Sequence, residues 1–190
     1  NYFHVILAEE IGSSHVDGFQ TFENNGGIAK NIIIENNIVS GFFHEGIMMT
    51  GTSGSHDNII VRNNIFSSEG TASWGIAAHG IYNLKVYNNV FVDMAIHGIG
   101  FRWTSTTTPT TGEVKNNIFY NGVSNYWKEE GYTLDGAYNL LYKTSGSIDP
   151  ANYPNDIVNQ DPKFVDVVNK DYRLQSDSPA KDAGATLTGF

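Results

Sequence analysis

Along most of the chain, short apolar runs alternate with polar positions, and each run ends in a pair of asparagines. "NIIIENNIVSG" begins at Asn31, "NIIVRNNIFSS" at Asn58, "NLKVYNNVFVD" at Asn83 and "TGEVKNNIFYN" at Thr111. The asparagine pairs stand at 36/37, 63/64, 88/89 and 116/117, giving periods of 27, 25 and 28 residues. In front of them, Ile32 and Ile34, Ile59 and Val61, and Leu84 and Val86 fall on alternate positions. Period-two alternation with β-branched residues predicts a strand with one buried face. Asparagine tolerates the left-handed backbone conformation and bonds readily to nearby backbone groups. Each pair therefore predicts a corner between two strands, and stacked copies predict a hydrogen-bonded ladder.

A third feature follows each corner. "DGFQTF", "EGIMMT", "WGIAAH" and "HGIGFR" place glycines at 18, 46, 75 and 98, each followed by an apolar residue, Phe19, Ile47, Ile76 or Ile99. A glycine here suits a second bend before another short strand. The unit is strand, corner, strand, bend, strand, and a period of two to three dozen residues predicts a solenoid. The fold class is all-β: a right-handed, single-stranded parallel β-helix with three short strands per coil and about five to seven coils, which buries its core only by stacking. The coils are assigned to residues 1–148, with "NLLYKTSG" at 139–146 as one more degenerate coil. Residues 149–190 are expected to form an irregular closing segment packed on the helix within the same domain.

A length of 190 residues is enough for one domain with a real core. A net charge of −9 argues against a nucleic-acid partner, which requires clustered Lys and Arg. No apolar run approaches the ~18 residues of a membrane helix. With no cysteine, disulfides and thiolate metal sites are excluded. The chain starts at Asn1 without an initiator Met or signal peptide, which predicts a processed or truncated product.

In a solenoid, function is sought in columns across coils. Aligned on the third-strand glycine, the preceding position holds Asp17, Glu45, Trp74 and His97. Two residues after the glycine stand Gln20, Met48, Ala77 and Gly100, and four after it Phe22, Thr50, His79 and Arg102. This face, with its acids, imidazoles, arginine and tryptophan, is the site candidate. Asp17 and Glu45, with His15 and His44 close by, are candidates for acid/base chemistry or for a Ca²⁺ site of hard oxygen ligands. Both also fit solvated residues beside a bend.

Arg102, His79 and Lys128 are the cationic and basic candidates. Lys128 joins them if "YWKEE" at 126–130 lies over "GFRWT", which places it near Arg102 and Gly100. Trp74, Trp103, Trp127, Tyr126, Phe22, Gln20 and His97 are candidates for sugar contact on the same side, since rigid aromatic faces stack on sugar rings. The bland alternative is that the aromatics cover coil ends. "TSTTTPTTG" at 104–112 is expected to be an exposed loop on one rim. The histidines show no close metal-binding spacing.

The repeats over residues 15–142 and the tail "DPKFVDVVNKDYRLQSDSPAKDAGA" resemble the right-handed β-helix repeat proteins of the pectate-lyase-like superfamily, in its secreted bacterial form. "HVDG" at 15–18 and "AHG" at 78–80 are similar to two motifs of polygalacturonase-like hydrolases, whose paired-aspartate and Arg-x-Lys motifs are missing here. The resemblance implies a secreted or cell-surface, carbohydrate-active protein with a polysaccharide partner. A lyase acting on a uronate-containing polysaccharide needs a cation against the carboxylate and a base for the proton alpha to it. Alternatives are a non-catalytic glycan-binding or scaffold β-helix, or the C-terminal part of a longer enzyme. Uncapped coil ends would expose strand edges and favour self-association.

Overall fold

The computed structural model describes residues 2–3, 16–23, 25–41, 44–51, 56–68, 74–102 and 110–188. Trp103, His15 and most of the Thr/Pro-rich segment lie outside them. The described chain winds through three parallel sheets. The first sheet stacks Lys30–Glu35, His56–Arg62, Ile81–Tyr87, Thr111–Lys115 and Thr133–Ala137. The second stacks Tyr2–Phe3, Ile38–Gly41, Ile65–Ser68, Val90–Val92, Ile118–Tyr120, Leu140–Tyr142 and Ile157–Val158. The third stacks Asp17–Phe22, Glu45–Thr50, Trp74–His79, His97–Phe101 and Ser124–Lys128. Within each sheet, strands one coil apart pair in parallel.

The corner between the first and second sheets divides labour between its two asparagines. Asn36, Asn63, Asn88 and Asn116 take the left-handed conformation at φ 57, 55, 54 and 59°, and Tyr138 takes it at φ 60° in the degenerate coil. The second asparagine points inward and makes the ladder. Asn37, Asn64, Asn89 and Asn117 each donate Nδ2 to the Oδ1 of the next coil's asparagine at 3.0 Å, ending on Asn139. The same Oδ1 atoms accept the backbone N–H of the coil before. Asp156 closes the ladder by accepting from both the backbone N and the Nδ2 of Asn139, at 2.8 and 3.1 Å.

The core is stacked in the same register. Phe66, Phe91 and Phe119 lie ring on ring, with centroids 5.0 Å apart and planes 8° from parallel. Glycines 46, 75 and 98 face this stack, where a Cβ would stand 2.6, 2.4 and 2.5 Å from the Phe66, Phe91 and Phe119 rings. The third-strand glycine therefore makes room for a ladder phenylalanine as well as a bend. At the last coil Tyr126 turns inward, its ring over bare Gly136 and edge-on to Tyr153. Tyr126 thus closes the end of the core and does not join the outer aromatic face.

The tail covers the outer face of the second sheet. The tail forms an antiparallel pair, Phe164–Asp166 with Asp171–Leu174, that lies on the second sheet. Phe164 packs with Ile118 and Leu140, Tyr172 meets Ser67 at 2.8 Å, and Ala185 exchanges two hydrogen bonds with Asn116. The first sheet carries ion pairs between coils, Arg62 with Glu35 and Lys115 with Asp135, each at 2.7 Å, and one within a strand, Lys115 with Glu113 at 2.9 Å.

Candidate functional site

The outer face of the third sheet is the one on which the chemistry-bearing side chains converge. Asp17, Glu45, Trp74, His97 and Ser124 are successive register partners, so the acid–acid–tryptophan–histidine column exists as a physical row. Beside it runs the row Gln20, Met48, Ala77, Gly100 and Trp127. Phe22, Thr50 and His79 form a third row. Neighbours within a row are one strand spacing apart, ~4.8 Å.

The centre of the face is a stack of rings. Trp74 packs over Met48 and Ala77 and lies on the bare backbone of Gly100. His97 sits 4.4 Å from the Trp74 ring centroid, and Trp127 stacks on His97 at 5.3 Å with planes 12° apart. The Arg102 guanidinium stands 4.6 Å over the Trp74 ring, within reach of a cation–π contact. Trp127 is 40% exposed and Trp74 only 3%, so Trp127 is the ring that can meet a ligand, and Trp74 is the floor that holds His97 and Arg102. Gln20 and Phe22 are exposed at the other end of the face.

Electrostatically the stack has one permanent charge. His79 is 1% exposed, and burial, followed by the repulsion of Arg102, pulls its pKa down to about 4. Burial and Arg102 also lower the pKa of His97. Both imidazoles are neutral near pH 7, and Arg102 alone brings positive charge to the stack. Buried His79 is therefore a wall of the site, out of reach of a ligand. The His97 Nδ1 is buried and has no hydrogen-bond partner among the described residues.

Lys128 does not stand beside Arg102. Trp127 is the register partner of Gly100, and Lys128 pairs with Phe101, one position away from the expected alignment. The connection explains it: Ser124 comes eight positions after Asn116, whereas His97 comes nine after Asn88. In a strand, a one-residue slip moves a side chain to the opposite face. Lys128 takes the register of buried Phe101, yet it is exposed, because its strand is the last of the third sheet.

The acidic pair lies on adjacent coils as the column predicts, and His44, the neighbour named from the sequence, joins it. The backbone N–H of Glu45 donates to Asp17 Oδ1 at 3.1 Å, and Glu45 Oε2 lies 2.7 Å from His44 Nδ1. The Glu45 side chain is 7% exposed and that of His44 52%. Burial, and then the hydrogen bond shared with Asp17, raises the pKa of Glu45. Among the described residues, no group of three or more His, Asp or Glu side chains is arranged to hold a metal ion. None of the described helices is long and apolar enough to cross a membrane.

No curated protein matches the chain, and no solved structure matches it. A family model described as a right handed beta helix region does match, over residues 10–145, a span that holds the ladder asparagines 37 to 139 and most strands of the three sheets. The chain belongs to the right-handed β-helix family.

Proposed function

We propose that the protein is a carbohydrate-active β-helix that cleaves a uronate-containing polysaccharide by β-elimination on the outer face of its third sheet. The observation that carries this reading is the stack of Trp127, His97, Trp74 and Arg102, which puts an exposed aromatic plate and a fixed positive charge on one rigid surface. An exposed indole suits the apolar face of a sugar ring. Guanidinium is suited to a planar carboxylate, which it can bind with two parallel hydrogen bonds. Charge neutralisation at the carboxylate acidifies the proton alpha to it. A neutral imidazole takes that proton, the bond to the leaving-group oxygen breaks, and a carbon–carbon double bond forms in the sugar. A secreted or cell-surface location goes with such a substrate.

A second reading is binding without turnover. It is favoured by the burial of His79, which removes one of the expected bases from the surface. Absorbance near 235 nm, where the unsaturated product absorbs, separates the two. Pectate, alginate and glycosaminoglycans are the substrates, each with Ca²⁺ and with chelator, because a bridging cation can also offset polyanion charge. Rising absorbance that is lost in Arg102→Ala supports the lyase. A flat trace with every substrate, from folded protein that still binds one of them, supports binding alone.

A further inference from the structure

Among the described histidines of this face, His44 is the exposed one. His79 is 1% exposed, and its ring is enclosed by the sheet. His97 stacks on Trp127, meets Trp74 at a tilt of 47°, and has its Nδ1 buried. His44 is different: its side chain is 52% exposed, and Nδ1 lies 2.7 Å from the carboxylate of buried Glu45. Glu45 is itself tied to the preceding coil, because Asp17 Oδ1 accepts its backbone N–H. The His44 carbonyl accepts the backbone N–H of Trp74 at 3.1 Å, which sets the His44 backbone one coil from that of Trp74. Glu45 is the register partner of Trp74, the residue under Arg102.

Resting on the lyase reading above, we propose that His44 is the general base of the reaction and that Glu45 is its positioning residue. With Glu45 ionised, Nδ1–H donates to the carboxylate, and this fixes the tautomer that presents the Nε2 lone pair to the ligand. The imidazole takes the proton alpha to the uronate carboxylate. The electron pair of that C–H bond forms the new double bond, and the glycosidic C–O bond breaks with its electrons on the departing oxygen. Glu45 stabilises the imidazolium so formed, and Asp17 holds Glu45 in place. His44 and Arg102 stand on the two coils that lie either side of the Trp74 coil, so one sugar has to span that coil.

The test compares wild type, His44→Ala, Glu45→Gln and Arg102→Ala on the polysaccharide that wild type degrades, with turnover read at 235 nm. Binding of a short oligosaccharide of the same polymer is measured by calorimetry. In His44→Ala, kcat is expected to fall by about 100-fold or more, the usual contribution of a general base, while Kd stays within about threefold. In Glu45→Gln, the acidic limb of the kcat/KM profile is expected to move, because the limb no longer contains the Glu45 carboxyl; a merely structural role would leave its position unchanged. A His44→Ala enzyme with near wild-type kcat overturns the assignment and leaves the lyase reading standing. Wild-type protein that binds the oligosaccharide through Arg102 but never produces absorbance overturns both the lyase and the base.

Discussion

Trp74 lies against the empty side of Gly100: a Cβ on Gly100 would stand 2.0 Å from Trp74 Cζ3. Glycine at this position lets the indole sit flat on the sheet, and the flat indole in turn sets the positions of His97 and Arg102. Gly100→Ala is therefore expected to lift the ring. Overpacking of this kind costs about 1–3 kcal/mol. Tryptophan fluorescence should shift and oligouronate affinity fall together; an unchanged spectrum with unchanged affinity would contradict the floor role of Trp74.

The two asparagines of a corner should respond differently to substitution. Asn89 is fully buried, accepts from the backbone and side chain of Asn64, and donates to Val61 O, Tyr87 O and Asn117 Oδ1. Asn89→Ala leaves several buried groups unsatisfied and is expected to cost on the order of 3 kcal/mol. Asn88→Ala, at φ 54°, loses mainly the tolerance of a left-handed backbone, about 1 kcal/mol, and Asn88→Gly should be milder still. Urea unfolding of the three variants gives the order; equal losses at 88 and 89 would refute the division of labour.

Acid should destabilise the fold through its buried histidines. The pKa of His79 falls from 6.5 to about 4 on folding, so between those values the unfolded chain binds more protons than the folded one. Stability from this group is complete above pH 6.5 and is lost as pH falls toward 4, by on the order of 3 kcal/mol. His56 and His97 act in the same direction. The urea midpoint of His79→Gln should fall less steeply than that of wild type between pH 7 and pH 4.5; parallel curves would contradict a neutral, buried His79.

Asp156 ends the ladder with a carboxylate in a place where the other coils use an amide. Burial raises its pKa, while Tyr126 and Asn139, which donate to it, act the other way. A raised carboxyl pKa means that ionisation destabilises the folded state above that pKa, and acid relieves the cost. Asp156→Asn should hold or raise Tm at pH 7, with its advantage shrinking as the pH falls toward 4. A large loss of Tm at pH 7 would show that the charge itself is needed.

The solenoid was legible because a coil imposes its own period on the sequence. The Asn-Asn corners, the inward Ile/Val positions and the column from Asp17 to His97 follow from counting, since equivalent positions must stack. Counting failed where a connection changed length, as between Asn116 and Ser124, and this is why Lys128 sits with Phe101. It also failed where one side chain covers another. The outward register of Trp74 and His79 does not reveal that Trp74 folds down over Gly100, nor that His79 is fully enclosed. The inward turn of Tyr126 depends on the missing side chain of Gly136, and the pairing of His44 with Glu45 joins a bend residue to a strand residue. Neither follows from strand alternation.

On the proposed function, the outer face of the third sheet holds an acidic sugar through Arg102. Calorimetric titration with a uronate oligosaccharide, alongside the same oligosaccharide with its carboxylates reduced to alcohols, tests it most directly. Binding of the acidic form, at least about tenfold weaker for the reduced form and for Arg102→Ala, a difference of about 1.4 kcal/mol, is the expected result. Equal affinity for the two sugars, or binding that survives Arg102→Ala unchanged, would contradict it.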